Sequence, residues 1–101
     1  MKVAVAYKDG KVCEKFEDVV KFRVYNIDGG KIVSCMTVGI NGEGTNAFTA
    51  LLKHHDIDHL ICGSMMEGVE EAAAEKNVKI HNGASGKADD AVKALLNGEL
   101  L

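Results

Sequence analysis

The sequence predicts an α/β protein: a three-layer arrangement in which a five-stranded mixed sheet carries helices on both faces. Three observations carry this expectation. Two short apolar runs, Val3-Ala4-Val5-Ala6-Tyr7 and Leu60-Ile61-Cys62, are too brief for helices and suit strands buried on both faces. Between them, residues 21–27 and 31–38 read as two strands joined at Asp28-Gly29-Gly30, a hairpin signal. The later strands are separated by segments with helical periodicity, as parallel crossovers require.

Taken in order, the first strand ends at the turn signal Asp9-Gly10. Val12, Phe16, Val19 and Val20 then pin a loop or a single helical turn to the core. In the hairpin, Phe22, Val24 and Asn26 alternate against Arg23, Tyr25 and Ile27. Gly39, Gly42 and Gly44 space the loop that follows, and Thr45 or Asn46 caps a helix with Ala47, Phe48, Leu51 and Leu52 on one face. After Leu60-Ile61-Cys62, Gly63 breaks the strand. Ser64 and Glu67 have the spacing of a capping box for a helix over 65–76, with Met65, Val69, Ala72 and Ala73 inward and Asn77 as its stop. Residues 78–81 form the last strand. A final helix buries Ala88, Ala91, Val92, Leu95 and Leu96, has Asp89 and Asp90 in its first turn and stops at Gly98. The expected strand order is 3-2-1-4-5 with strand 2 antiparallel to the rest, a ribonuclease H-like layout.

Length and composition narrow the function classes. With 101 residues the chain has room for one core and is expected to be a single domain over 1–101. A net charge of −3 argues against nucleic acid and anionic membranes as partners, and three phenylalanines with two tyrosines and no tryptophan give no base-stacking platform. The apolar runs are too short to span a bilayer, and Lys8-Asp9 interrupts the N-terminus too early for a secretory leader, so a cytoplasmic protein is expected. Cys13, Cys35 and Cys62 are widely spaced and lack a C-x-x-C pattern, which fits thiols in a reducing compartment.

In open α/β sheets ligands bind beyond the carboxyl ends of strands where the winding reverses. That crevice is expected above strands one and four. Lys8, Lys15 and the amides around Gly63 and Ser64 supply positive potential there, and Cys13, Cys62, Met65 and Met66 supply soft sulfur. The same thiols and methionines also read as core and helix packing. Gly42 and Gly44 overhang the crevice as a lid or a plain connector, since their spacing matches no phosphate motif. The tract His54-His55-Asp56-Ile57-Asp58-His59 straddles a helix end, so its histidines read as a solvated terminus. Cys35 reads as structural. Two-metal hydrolysis needs clustered carboxylates, and the first strand contains none.

With these residues in view, the chain resembles the dinitrogenase iron–molybdenum cofactor biosynthesis family. The likeness runs from Met1-Lys2-Val3-Ala4-Val5 through Phe16 and Asp28-Gly29-Gly30-Lys31-Ile32-Val33. It continues in Asp58-His59-Leu60-Ile61-Cys62-Gly63, Asn82-Gly83-Ala84-Ser85-Gly86 and Leu96-Asn97-Gly98-Glu99-Leu100. The resemblance implies a ribonuclease H-like fold and a small accessory protein that binds or carries the cofactor or its precursors. The family often has Ser-x-His-Phe-Gly after the first strand. Here the run is Cys13-Glu14-Lys15-Phe16-Glu17, with lysine for the histidine, and protonated lysine neutralises an anion without ligating a metal. Relatives of this kind include a protein that holds a molybdenum–copper–sulfide cluster without covalent attachment.

The expectation is therefore a non-enzymatic carrier of a metal–sulfur cluster or thiometallate, of iron–molybdenum, iron–sulfur or molybdenum–copper–sulfur type. Lys8, Cys13, Lys15, Gly42, Gly44, Cys62, Gly63, Ser64 and Met65 form its site, with Cys13 and Cys62 as candidate metal ligands. Cluster-biosynthesis or acceptor proteins are the expected partners. The alternative is a small-molecule or protein-interaction module of the same fold with no metal.

Overall fold

A computed structural model of the chain describes residues 1–19, 21–39, 45–64 and 68–98. Its elements are β1 (Lys2–Lys8), β2 (Lys11–Val12), a 3-10 turn (Phe16–Asp18), β3 (Lys21–Asp28), β4 (Lys31–Gly39), α1 (Thr45–His54), β5 (His59–Ile61), α2 (Val69–Glu75), β6 (Lys79–His81) and α3 (Ala88–Leu96). The sheet runs β4-β3-β1-β5-β6, and β2 pairs with β1 off that path. β3 is antiparallel to both neighbours, whereas β1, β5 and β6 are parallel. This is the predicted strand order, with helices on both faces.

The sheet has six strands rather than five, and the addition is β2. Asp9 and Gly10 both have positive φ, 52° and 85°, which is the backbone of a tight two-residue hairpin. The turn therefore sends the chain back along β1, pairing Tyr7 with Val12 and Lys8 with Lys11. Gly29 and Gly30, at φ 60° and 77°, make the equivalent turn between β3 and β4, with Asp28 opposite Lys31.

Alternation along β1 divides the core. Ala4 and Ala6 face α1 and α2 together with Phe22, Val24, Phe48, Leu51, Val69 and Ala73. Val3 and Val5 face α3 together with Tyr25, Ile27, Ile61, Val92 and Leu95. On the first side Phe16, Phe22 and Phe48 form a ring triad with centroids 6.1–6.2 Å apart. On the second, the Tyr25 hydroxyl donates to the Asp89 carboxylate in the first turn of α3, fixing the helix to the sheet.

Helix α2 departs from expectation at its start. It begins at Val69, after Gly68 in a left-handed conformation (φ 90°), so Ser64 is not its cap. Ser64 is instead engaged with the loop after β2. Met65, Met66 and Glu67 lie outside the described residues. Asn77 has φ 58°, the left-handed backbone expected where the chain leaves α2 for β6. Among the described residues no helix is long and apolar enough to cross a membrane.

The ring triad locks the 3-10 turn, β3 and α1 together. Phe48→Ala is expected to cost about 3–5 kcal/mol of stability through the cavity it leaves. Urea unfolding followed by circular dichroism measures this.

Candidate functional site

The chain beyond the carboxyl end of β1 is built by backbone hydrogen bonds. The Cys13 amide donates to the Ala6 carbonyl at 2.7 Å, prolonging the β1–β2 ladder by one bond. The Val12 amide donates to Gly86 at 2.9 Å and the Ala88 amide to Gly10 at 3.1 Å, which ties the hairpin to the start of α3. Residues 13–16 then pass directly over the end of β5. A Cβ at Gly63 would stand 2.8 Å from both Cα and O of Glu14 and 2.9 Å from the Cys13 carbonyl. Only glycine allows the backbones this approach. The Ser64 amide donates to the Glu14 carbonyl at 2.9 Å, and the Ser64 hydroxyl accepts from the Phe16 amide at 3.3 Å.

The segment after the first strand and the end of the strand before Gly63 therefore meet, as the sequence led one to expect. The purpose of the meeting differs. Gly63 and Ser64 anchor the 13–16 loop from beneath, and the Ser64 amide is engaged by Glu14 rather than directed at a ligand.

Among the described residues two adjoining hollows open beside this loop. One, of about 520 Å³, is lined by the amine-bearing Lys8, Lys11 and Lys15, by Asp9, Glu14 and Asp18, and by Val12 and Cys13. The other, of about 430 Å³, shares Lys8, Asp9 and Asp18 and adds Tyr7, Gly10 and Lys21. Together they form a groove in which four lysines meet three carboxylates, so it is less negative than a chain carrying −3 overall. Lys8 and Lys15 were expected here. Lys11, Asp9, Glu14 and Asp18 were missed, although the Asp9-Gly10 pair was the signal: read as a hairpin, it brings 11–15 back beside Lys8.

The two thiols considered as donors occupy different depths. Cys13 is 4% exposed at the groove wall, and its Sγ donates to the Lys15 carbonyl at 3.3 Å. Cys62 is fully buried in the same apolar cluster, lines neither hollow, and burial pushes its thiol up to about 11. At neutral pH Cys62 is a protonated core residue. Among the described residues no group of three or more His, Cys, Asp or Glu side chains is placed to hold a metal ion. Gly42, Gly44 and Met65 lie outside the described residues. Cys35 is exposed on β4, where its Sγ accepts from Arg23 Nη2 at 3.2 Å, and the Arg23 guanidinium lies 5.5 and 5.7 Å from the Tyr7 and Tyr25 rings.

Sheet order and groove position define a small α/β domain of ribonuclease H-like layout with its candidate binding surface at the carboxyl end of the central strand. The chain belongs to the family described as dinitrogenase iron–molybdenum cofactor, which its sequence matches over residues 1–98. Solved structures share the fold. PH0822 superposes with a TM-score of 0.87 at 20% identity, over 100% of this chain and 93% of that one. A Methanocaldococcus jannaschii protein, provisionally assigned as a dinitrogenase, gives 0.81 at 25% identity over 100% and 92%. The apo form of the orange protein from Desulfovibrio gigas gives 0.80 at 20% identity over 99% and 90%. No curated protein matches the sequence.

Two outcomes follow from this geometry. Gly63→Ala is expected to lose about 1–3 kcal/mol by overpacking and to shift the amide resonances of residues 13–16 in proton–nitrogen spectra. For Cys62, the folded thiol is pushed up from 9.0 to about 11, so on raising the pH the unfolded chain releases this proton first. The group's contribution to stability is intact below pH 9 and falls as pH rises toward 11. Urea midpoints measured across that range should decline less in Cys62→Ala than in the parent chain.

Proposed function

We propose that this chain is a non-enzymatic binding protein that carries an anionic metal–sulfur cluster or thiometallate in the groove beside the β1–β2 hairpin. The supporting observation is the placement of Lys8, Lys11 and Lys15 around a near-surface thiol, Cys13, in a member of a family described by an iron–molybdenum cofactor. Amines neutralise and hydrogen-bond a sulfide-rich anion, and the thiol adds one soft contact. With Cys62 protonated beneath the surface, the donor set suits a preassembled cargo held by charge and hydrogen bonds, not a cluster built on several protein ligands. Such holding permits release to an acceptor, so the natural partners are the proteins that make or receive the cluster. Free thiols and a sulfide-rich cargo suit a reducing compartment, and the cytoplasm is the one this reading favours.

Anaerobic mixing with tetrathiomolybdate and copper(I), or with iron and sulfide, followed by desalting, tests the reading. Retained visible absorption in stoichiometric amount is expected with one of the two. Lys15→Glu should weaken retention about tenfold, since it replaces an attractive surface charge by a repulsive one. Absence of retained absorption with both mixtures would favour a small-molecule or protein-interaction module with no metal.

A further inference from the structure

Away from the groove, β5 and β6 bring together two histidines that are far apart in sequence. His59 Nδ1 and His81 Nε2 lie 3.0 Å apart, with ring centroids separated by 5.2 Å and planes inclined by 29°. The parallel register sets this contact. His59 is opposite Lys79, and His81 is opposite Ile61, so the two histidines are diagonal neighbours on the α3 side of the sheet. Both are half-buried, and β6 is the edge strand, so the pair is open to solvent on one side.

We propose that His59 and His81 form a binding site for a borderline divalent cation of the Zn²⁺ type, with water completing the coordination. Two imidazole nitrogens bound to one such ion at about 2.0–2.1 Å lie roughly 2.9–3.4 Å apart in square-planar to tetrahedral geometry. The 3.0 Å separation already falls in that span, so the two nitrogens need not move apart, and each ring has only to turn its lone pair from the other nitrogen toward the ion. Without a cation the contact is a hydrogen bond in which one ring donates and the other accepts. Starting from one proton on each ring, the donor ring moves its proton to its other nitrogen on binding, so both facing lone pairs become ligands and no net proton is released.

The charged groups around the pair act in opposite directions. Burial, the neighbouring His81 and Lys79 all hold His59 below its ordinary range, and Asp58 opposes them. The neutral imidazole is the form that ligates a cation. Asp58 is kept in place by the Lys2 amide, which donates to its Oδ2 at 2.8 Å. Its carboxylate offsets the Lys79 ammonium for an arriving cation. The site is separate from the groove: His59 is opposite Val3 on β1, whereas the groove begins at Tyr7 and Lys8. Four residues of strand span about 13 Å.

Zinc titration of the full chain, free of added cluster, tests this independently of the groove. In imidazole nitrogen spectra of the unaltered protein, Zn²⁺ should shift His59 and His81 and leave His54 and His55 in place. By calorimetry, His59→Gln and His81→Gln should each weaken zinc binding by about tenfold or more, with H54Q/H55Q binding as the parent does. Unmoved His59 and His81 resonances, or binding lost in H54Q/H55Q and kept in H59Q, would overturn the assignment. The spectra of the unaltered chain decide the matter even if a glutamine variant fails to fold.

Discussion

The close passage of residues 13–16 over Gly63 and Ser64 is the constraint on which the rest of the molecule depends. Two backbones approach there within the space a single Cβ would fill. The contact joins segments about fifty residues apart and lies at the carboxyl end of two parallel strands. From it follow the depth of the hairpin loop, the seat of Phe16 in the ring triad, and the inclination of Lys15 and Cys13 toward the groove. The hydrogen bonds that secure it use the serine amide, the serine hydroxyl and the Phe16 amide, so this crossing is held by polar contacts where it meets the apolar core.

Most of the fold was legible because each strand has a distinct signature. β1 reads as a continuous apolar run since both its faces are covered, and β3 reads as an alternation since its neighbours divide the two cores. The strand β2 escaped because two residues have no periodicity; its existence is carried entirely by the left-handed backbone at Asp9 and Gly10. Ser64 misled for the opposite reason. Its spacing to Glu67 satisfies a local capping rule, but a hydroxyl near a glycine turn serves equally well as a tertiary anchor, and here the partner is Phe16.

The candidate site divides along the same line. Lys8 could be placed because it ends a strand, and Lys15 because it follows one. The carboxylates opposite them could not, since their position depends on a hairpin closing. His59 and His81 were invisible as a pair: 22 residues separate them, and only the register of β5 against β6 makes them neighbours. Local spacing drew attention instead to His54 and His55, which sit at and just beyond the end of α1.

The three cysteines occupy three environments, and this has a practical corollary. Cys62 is sealed in the core, Cys13 shows only 4% of its surface at the groove wall with its Sγ bonded to the Lys15 carbonyl, and Cys35 lies exposed on β4, the sheet margin opposite β6. A maleimide dye added to the native protein should therefore attach at one position. It would stand across β3 from the central strand, well placed to report changes in hydrodynamics or energy transfer while leaving the hairpin loop untouched.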